Sequence, residues 1–232
     1  MPPDDRVSTG CDPLDDLLGG GLERGAVTQF YGPPAAGKTN VALSAAVETA
    51  AGGARVVYVD TEGLSPERFE QLLAGRTDDV EAASGRIAIS GARDFDEQAE
   101  AVRDAGDLAE GADLVVLDSA TGFYRLRRTE DGGEDGEALR DVARQVTHLL
   151  SLARRHDLAA VVTNQVYTDP DADRVRPLGG HTLAHWTATI VRLSRFRGGR
   201  RRATLEKHRA APTGETVGFE ITDDGLAAAD VG

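Results

Sequence analysis

Residues Gly32-Pro33-Pro34-Ala35-Ala36-Gly37-Lys38-Thr39 match G-x-x-x-x-G-K-[ST] at every fixed position. The flanks supply the context this motif needs. Val27-Thr28-Gln29-Phe30-Tyr31 reads as a buried strand, and residues 40–50 read as a helix rich in Ala, Val and Leu. A glycine-rich turn between strand and helix can wrap its N–H groups around a phosphate, and the helix N-terminus favours the anion. Lys38 would reach the β- and γ-phosphates, and the Thr39 hydroxyl can ligate Mg²⁺. The cofactors expected are therefore ATP and Mg²⁺. An ordinary glycine-rich turn would not need this combination.

The remaining pattern extends the same architecture. Strands are expected at Arg55–Asp60, 86–90, 113–118 and 158–163, with helices over 66–74, 95–110 and 137–156. Strands alternating with helices imply right-handed βαβ units and a mainly parallel sheet flanked by helices. Thr189–Arg195, Arg201–Lys207 and residues 217–221 read as an antiparallel C-terminal extension. Near the start, Asp12 can cap a short helix with Pro13 in its first position, and Gly19 can end it. Residues 119–137 and 166–180 read as irregular loops.

Composition narrows the classes. No apolar run approaches the roughly 20 residues of a membrane span, and the N-terminus lacks signal-peptide character. Cys11 is the single cysteine, which excludes an intrachain disulfide. A cytoplasmic protein is expected. The net charge is −13, yet 26 residues are basic, and lysine occurs only at Lys38 and Lys207. An acidic surface of this kind suits strong salt, which would weaken contacts that rely on counterion release.

Several residues can carry chemistry. Asp118 ends a buried strand beside the phosphate loop, where a carboxylate can hold Mg²⁺ through water, in preference to capping a helix. Glu62 follows another strand at the same edge and can orient and deprotonate water. Spacing leaves it equally suited to capping the next turn. Gln165 can sense a γ-phosphate and pass its state to the loop beyond, although spacing alone favours an amide satisfied in a turn. Phe123-Tyr124-Arg125, with Arg127 and Arg128, suits base stacking plus phosphate contact. Arg174 and Arg176 do so less clearly, since Asp169, Asp171 and Asp173 precede them. The stretch from Arg192 to Arg209, with Glu206 its one acid, reads partly as a salt-bridged hairpin. His181 and His185 share a helical face, where a packed or hydrogen-bonded pair is favoured over a metal site.

Together these pieces resemble the RecA/RadA recombinase core. Ser8-Thr9-Gly10, Leu17-Leu18-Gly19-Gly20-Gly21, Tyr58-Val59-Asp60-Thr61-Glu62-Gly63, Thr163-Asn164-Gln165-Val166 and Gly179-Gly180-His181-Thr182-Leu183-Ala184-His185 match its archaeal–eukaryotic branch in order. The resemblance implies a RecA-like P-loop ATPase core filling the chain, with residues 1–9 a short tail and no N-terminal helix-hairpin-helix domain. It implies Glu62 as catalytic carboxylate, Gln165 as the link from nucleotide to DNA, both loops as DNA-binding, and His181 as nucleotide-responsive. The family's Asp-Pro nucleotide cap, given by a neighbouring subunit, is replaced by Lys207-His208-Arg209. This is the pattern of the short archaeal paralogue. It implies an accessory factor of recombinational repair with weak ATP hydrolysis and no strand exchange of its own. Single-stranded or branched DNA, a RadA-type recombinase and further copies of the chain are the implied partners. A strand-exchanging ATPase and a nucleotide-gated adaptor acting on proteins alone are the alternatives.

Overall fold

The computed structural model describes residues 6–124, 135–169 and 174–230. A nine-stranded sheet forms the centre, in the order β13-β12-β11-β10-β3-β7-β6-β4-β5. Its parallel strands are β3 (Val27–Tyr31), β4 (Arg55–Asp60), β5 (Ile87–Gly91), β6 (Ala112–Asp118), β7 (Ala159–Asn164) and β10 (Thr189–Arg195). The antiparallel end comprises β11 (Arg201–Lys207), β12 (Thr216–Thr222) and β13 (Gly225–Ala228). β10 therefore belongs to the parallel part, correcting the expectation that the extension starts there. Pairing with β3 decides this, and no residue pattern within β10 reports it.

Both faces of the sheet are covered, so its strands are apolar without alternation. In β4, Val56 and Tyr58 enter one core and Val57 and Val59 the other. The first core lies under α1 (Asp12–Leu17), α2 (Lys38–Ala51), α3 (Pro66–Ala74) and α4 (Val80–Ser84). Helix α2 is small-residue-rich and buried around most of its circumference, which lets it lie close on the central strands. The second core lies under the amphipathic helices α5 (Phe95–Leu108) and α6 (Asp135–His156). Helix α7 (Gly180–Trp186) rests against α6.

Three local expectations change. Cys11, not Asp12, occupies the N-cap of α1, and no side chain caps it; Asp12 instead places its carboxylate in the first turn, where the dipole favours it. Part of the stretch expected to be irregular over 166–180 is a hairpin of β8 (Val166–Asp169) and β9 (Arg174–Pro177), followed by α7. Its acids and prolines mask a pairing that only the cross-strand register shows. Helix α4 and strand β13 are short elements with too few residues to show a period.

The Ser8-Thr9-Gly10 and Leu17–Gly21 motifs form one clasp. Asp15 accepts from Ser8 Oγ at 2.6 Å, from Thr9 N–H at 2.8 Å and from Thr9 Oγ1 at 2.7 Å. Its backbone carbonyl accepts from Gly20 and Gly21. The short strands β1 (Arg6–Val7) and β2 (Leu22–Glu23) pair across it. Thr9 is fully buried, so removal of the carboxylate leaves its donors unsatisfied. Asp15→Ala is expected to lower unfolding free energy by about 2–4 kcal/mol in urea titration. Asp16→Ala, at an exposed position, should change it by less than about 0.5 kcal/mol.

Candidate functional site

The four adjacent strands β3, β7, β6 and β4 all end at one edge of the sheet. That edge is where open α/β sheets bind ligands. The strand ends deliver the phosphate loop after Tyr31, Gln165 after Asn164, Asp118 at the end of β6, and Glu62 two residues beyond Asp60. These residues line a cleft of about 390 Å³ together with Gly32, Pro34, Ala35, Gly37, Lys38, Thr39 and Asn40. Pro33 and Ala36 complete the loop. Ala36 is buried in the first core, and the Pro33 carbonyl accepts from Lys38.

The loop is built for an anion. Gly37 has φ +101° at the N-cap of α2, a conformation that favours glycine, and no side chain caps the helix. The first-turn N–H groups are thereby left for a ligand. Lys38 Nζ lies over the loop and donates to the carbonyls of Gly32 at 3.1 Å and Pro33 at 3.2 Å. Burial pulls its ammonium below the ordinary lysine value, and the Glu62 and Asp118 carboxylates act in the opposite direction. A polyphosphate in the cleft would favour the charged form further.

Asp118 is 1% exposed. Tyr58 Oη donates to its Oδ2 at 3.0 Å, and Thr163 Oγ1 donates to its Oδ1. Thr39 forms a further side-chain hydrogen bond with it. Burial raises its pKa above the ordinary aspartate value, and the three hydroxyl bonds oppose this. A buried carboxylate beside a threonine hydroxyl at the mouth of an anion-binding loop fits the donor set of Mg²⁺. Thr39 and Asp118 would hold the metal, which would neutralise phosphate charge.

Glu62 is free of the capping duty that its spacing allowed. Asp60 performs it, accepting from the N–H groups of Glu62, Gly63 and Leu64. Glu62 Oε1 instead accepts from Ser119 Oγ at 2.6 Å and from Gln165 Nε2 at 3.1 Å. Gln165 in turn ties the cleft to the hairpin: its carbonyl accepts from Leu178 N–H, and Asn164 Nδ2 donates to the Leu178 carbonyl at 2.8 Å. Thr121 Oγ1 donates to Asn164 Oδ1 at 2.7 Å and accepts from Gln165 N–H at 3.1 Å. The roots of both loops meet there.

The other predicted residues are placed differently. Arg125, Arg127 and Arg128 lie outside the described residues. Tyr124 is 5% exposed and belongs to the second core, so its ring does not present a face for stacking. The aromatic at 123–124 serves as an anchor for the loop root, because the apolar surface under α6 captures it. Arg174 opens β9, and Arg176 is exposed on that strand. His181 is exposed on α7 and does not line the cleft. Among the described residues no cluster of His, Cys, Asp and Glu suits a metal ion. His185 packs edge-on against Trp186. Lys207 Nζ donates to the carbonyls of Ala184 at 2.6 Å and Thr187 at 2.7 Å, so it clamps the end of α7 in its own chain. The expected salt-bridged hairpin is present: Arg192 pairs with Glu206 at 3.0 Å.

Sequence reasoning missed Ser119, Asp60, Tyr58 and Asn40. Asn40 lines the cleft and accepts from Arg68 Nε at 3.3 Å. The signal for Ser119 was its place directly after Asp118, next to an acid-ended strand.

The raised pKa of Asp118 sets the sign of a pH effect. Its folded-state value lies above the unfolded one, so stability falls as pH rises from the unfolded value through the folded one. Above that window the fold carries a buried charge. Asp118→Asn should therefore stabilise the protein without Mg²⁺ at neutral pH, by about 1 kcal/mol or 2–4 °C in melting temperature. That gain should vanish at pH values below the ordinary aspartate range. Calorimetry at both pH values checks it; an Asn variant less stable at neutral pH would contradict the assignment.

The model of the Rad51 family matches residues 5–229. The DNA repair and recombination protein RadB of Halobacterium salinarum is 68% identical over 230 residues, spanning 97% of this chain and 96% of that protein. RadB of Methanoculleus marisnigri is 44% identical over 226 residues, spanning 96% and 97%. A solved structure titled crystal structure of the RadB recombinase aligns with TM-score 0.85 at 36% identity, over 97% of this chain and 100% of the other. The expected RecA-like fold, mainly parallel with antiparallel strands at its end, holds. This chain belongs to the Rad51 family, in its RadB branch.

Proposed function

We propose that this protein binds ATP with Mg²⁺ and acts on DNA in homologous recombination and repair, as an accessory factor with slow hydrolysis and no strand exchange of its own. The observation that carries the reading is the convergence of Lys38, Thr39, Glu62, Asp118 and Gln165 on one cleft at the roots of two loops. The names of the RadB relatives support the repair and recombination setting. In this reading the loop and Lys38 bind the phosphates, Thr39 and Asp118 hold the metal, and Glu62 orients water. Gln165 relays the nucleotide state to the hairpin. The chain works as one RecA-like unit in the cytoplasm. Among the described residues no helix is long and apolar enough to cross a membrane.

The DNA contacts are assigned to Arg125, Arg127 and Arg128 in the first loop and to Arg174 and Arg176 in the hairpin, with Tyr124 seating the first loop instead of stacking on a base. Single-stranded or branched DNA, a RadA-type recombinase and further copies of this chain are the partners proposed. His181, exposed at the start of the helix after the hairpin, would respond to nucleotide through a neighbouring copy. Slow hydrolysis is expected from the cap region, where Lys207 is engaged with the Ala184 and Thr187 carbonyls at the end of α7 in place of the family's Asp-Pro cap.

Calorimetric titration with an ATP analogue and Mg²⁺, followed by phosphate release with saturating single-stranded DNA, tests this. Lys38→Ala should weaken the analogue by roughly 100-fold while remaining folded. The parent should turn over well below about 10 per second. A folded Lys38→Ala variant with parental affinity would remove the nucleotide reading. Turnover at or above that rate would favour an active recombinase.

A further inference from the structure

We infer that Ser119 is a positioning residue for the Glu62 carboxylate, and that Gly122 keeps their contact closed. The inference rests on the reading of Glu62 as the group that orients water. Ser119 directly follows β6 and is fully buried, whereas Glu62 is exposed to the cleft. The Ser119 hydroxyl donates to Glu62 Oε1 at 2.6 Å, the short distance of a charge-assisted bond. Gln165 Nε2 donates to the same oxygen. Among the described residues both hydrogen bonds to this carboxylate fall on Oε1, so Oε2 is the oxygen placed to accept a proton from water.

The backbone holds Ser119 in turn. Its N–H donates to Thr61 Oγ1 at 2.8 Å, and Thr61 Oγ1 donates to the Ser119 carbonyl at 3.1 Å. Thr61 N–H donates to the Asp118 carbonyl at 2.7 Å. Residues 61–62 and 118–119 are thus laced together at the ends of neighbouring strands. Gly122 closes over this junction. A Cβ there would stand 3.0 Å from Thr61 Oγ1, 3.1 Å from Ser119 Oγ and 3.3 Å from Glu62 Oε1. A larger residue would press on both partners of the Ser119–Glu62 bond. Residues 119–122 are also the root of the first loop, so a displacement of that root reaches the carboxylate directly. A glutamate side chain has three rotatable torsions, and two donors on one oxygen select one arrangement. The rate of a reaction through the other oxygen, Oε2, depends steeply on its placement.

Single-turnover hydrolysis of ATP with Mg²⁺ reads the chemical step, and calorimetry with a non-hydrolysable ATP analogue reads binding. Ser119→Ala should slow the step roughly 10-fold and leave analogue affinity within about 2-fold. Gly122→Ala should reproduce the slowing. The double variant should lose less than the product of the two single losses, because both changes act on the placement of the same Glu62 carboxylate and the deleted hydroxyl is one of the atoms the added Cβ meets. A parental or faster step in Ser119→Ala, equal losses in rate and affinity, or losses that multiply in the double variant would overturn the positioning role. Ser119→Ala only deletes an oxygen, and it decides alone where Gly122→Ala does not fold. Glu62→Gln separates the two claims. If it hydrolyses like the parent, the water-orienting reading fails and Ser119's role with it. If it is slow beside a parental Ser119→Ala, the positioning role alone falls.

Discussion

One buried carboxylate holds the functional edge of this sheet together. Asp118 ends β6, Tyr58 comes from β4 on one side and Thr163 from β7 on the other, and both hydroxyls donate to it. The bond pattern fixes three neighbouring strand ends relative to one another. Because Glu62, Ser119 and Gln165 lie just beyond those ends, the meeting of Ser119 Oγ and Gln165 Nε2 on Glu62 Oε1 follows from the same register. The arrangement costs stability, since burial disfavours the charged form, and that is the trade expected if, as proposed, this carboxylate holds a cation.

Much of this was legible in the residues, and the physical reasons are specific. The phosphate loop is local: its glycines, Lys38 and Thr39 act through contiguous backbone, so spacing alone reports them. Asp118 was legible because a buried apolar strand with an acid at its C-terminal end has few other uses. Glu62 was not decided by spacing, since capping and catalysis call for the same residue. Only the three N–H bonds to Asp60 show which carboxylate does the capping. Tyr124 marks the opposite failure. Next to arginines it suggests a stacking surface, yet its burial under α6 is a tertiary fact that no local pattern encodes. The hairpin β8–β9 was hidden for the same reason, since its pairing joins residues on either side of the acidic stretch 170–173.

Charge is distributed unevenly over this fold. The helix α5 surface is acidic, whereas β10, β11 and their connection carry most of the arginines near the other end of the sheet. Some of these arginines are already engaged, as Arg192 is with Glu206 and Arg202 is with the Phe196 ring at 4.6 Å. In strong salt such local pairs persist better than long-range attraction, because screening shortens the reach of charge to a few ångströms. On the proposed reading, DNA contact by a chain of net charge −13 has to rely on close arginine–phosphate bonds and less on the field of the whole molecule.

The central claim is that the nucleotide cleft and the DNA-binding loops are one coupled device, joined through Glu62, Gln165 and Thr121. Fluorescence anisotropy of a labelled single-stranded oligonucleotide, titrated across salt with and without a non-hydrolysable ATP analogue and Mg²⁺, tests it most directly. The account predicts that the nucleotide changes DNA affinity by at least about 5-fold, and that Gln165→Ala abolishes the difference. Equal affinity with and without nucleotide at every salt concentration would contradict it.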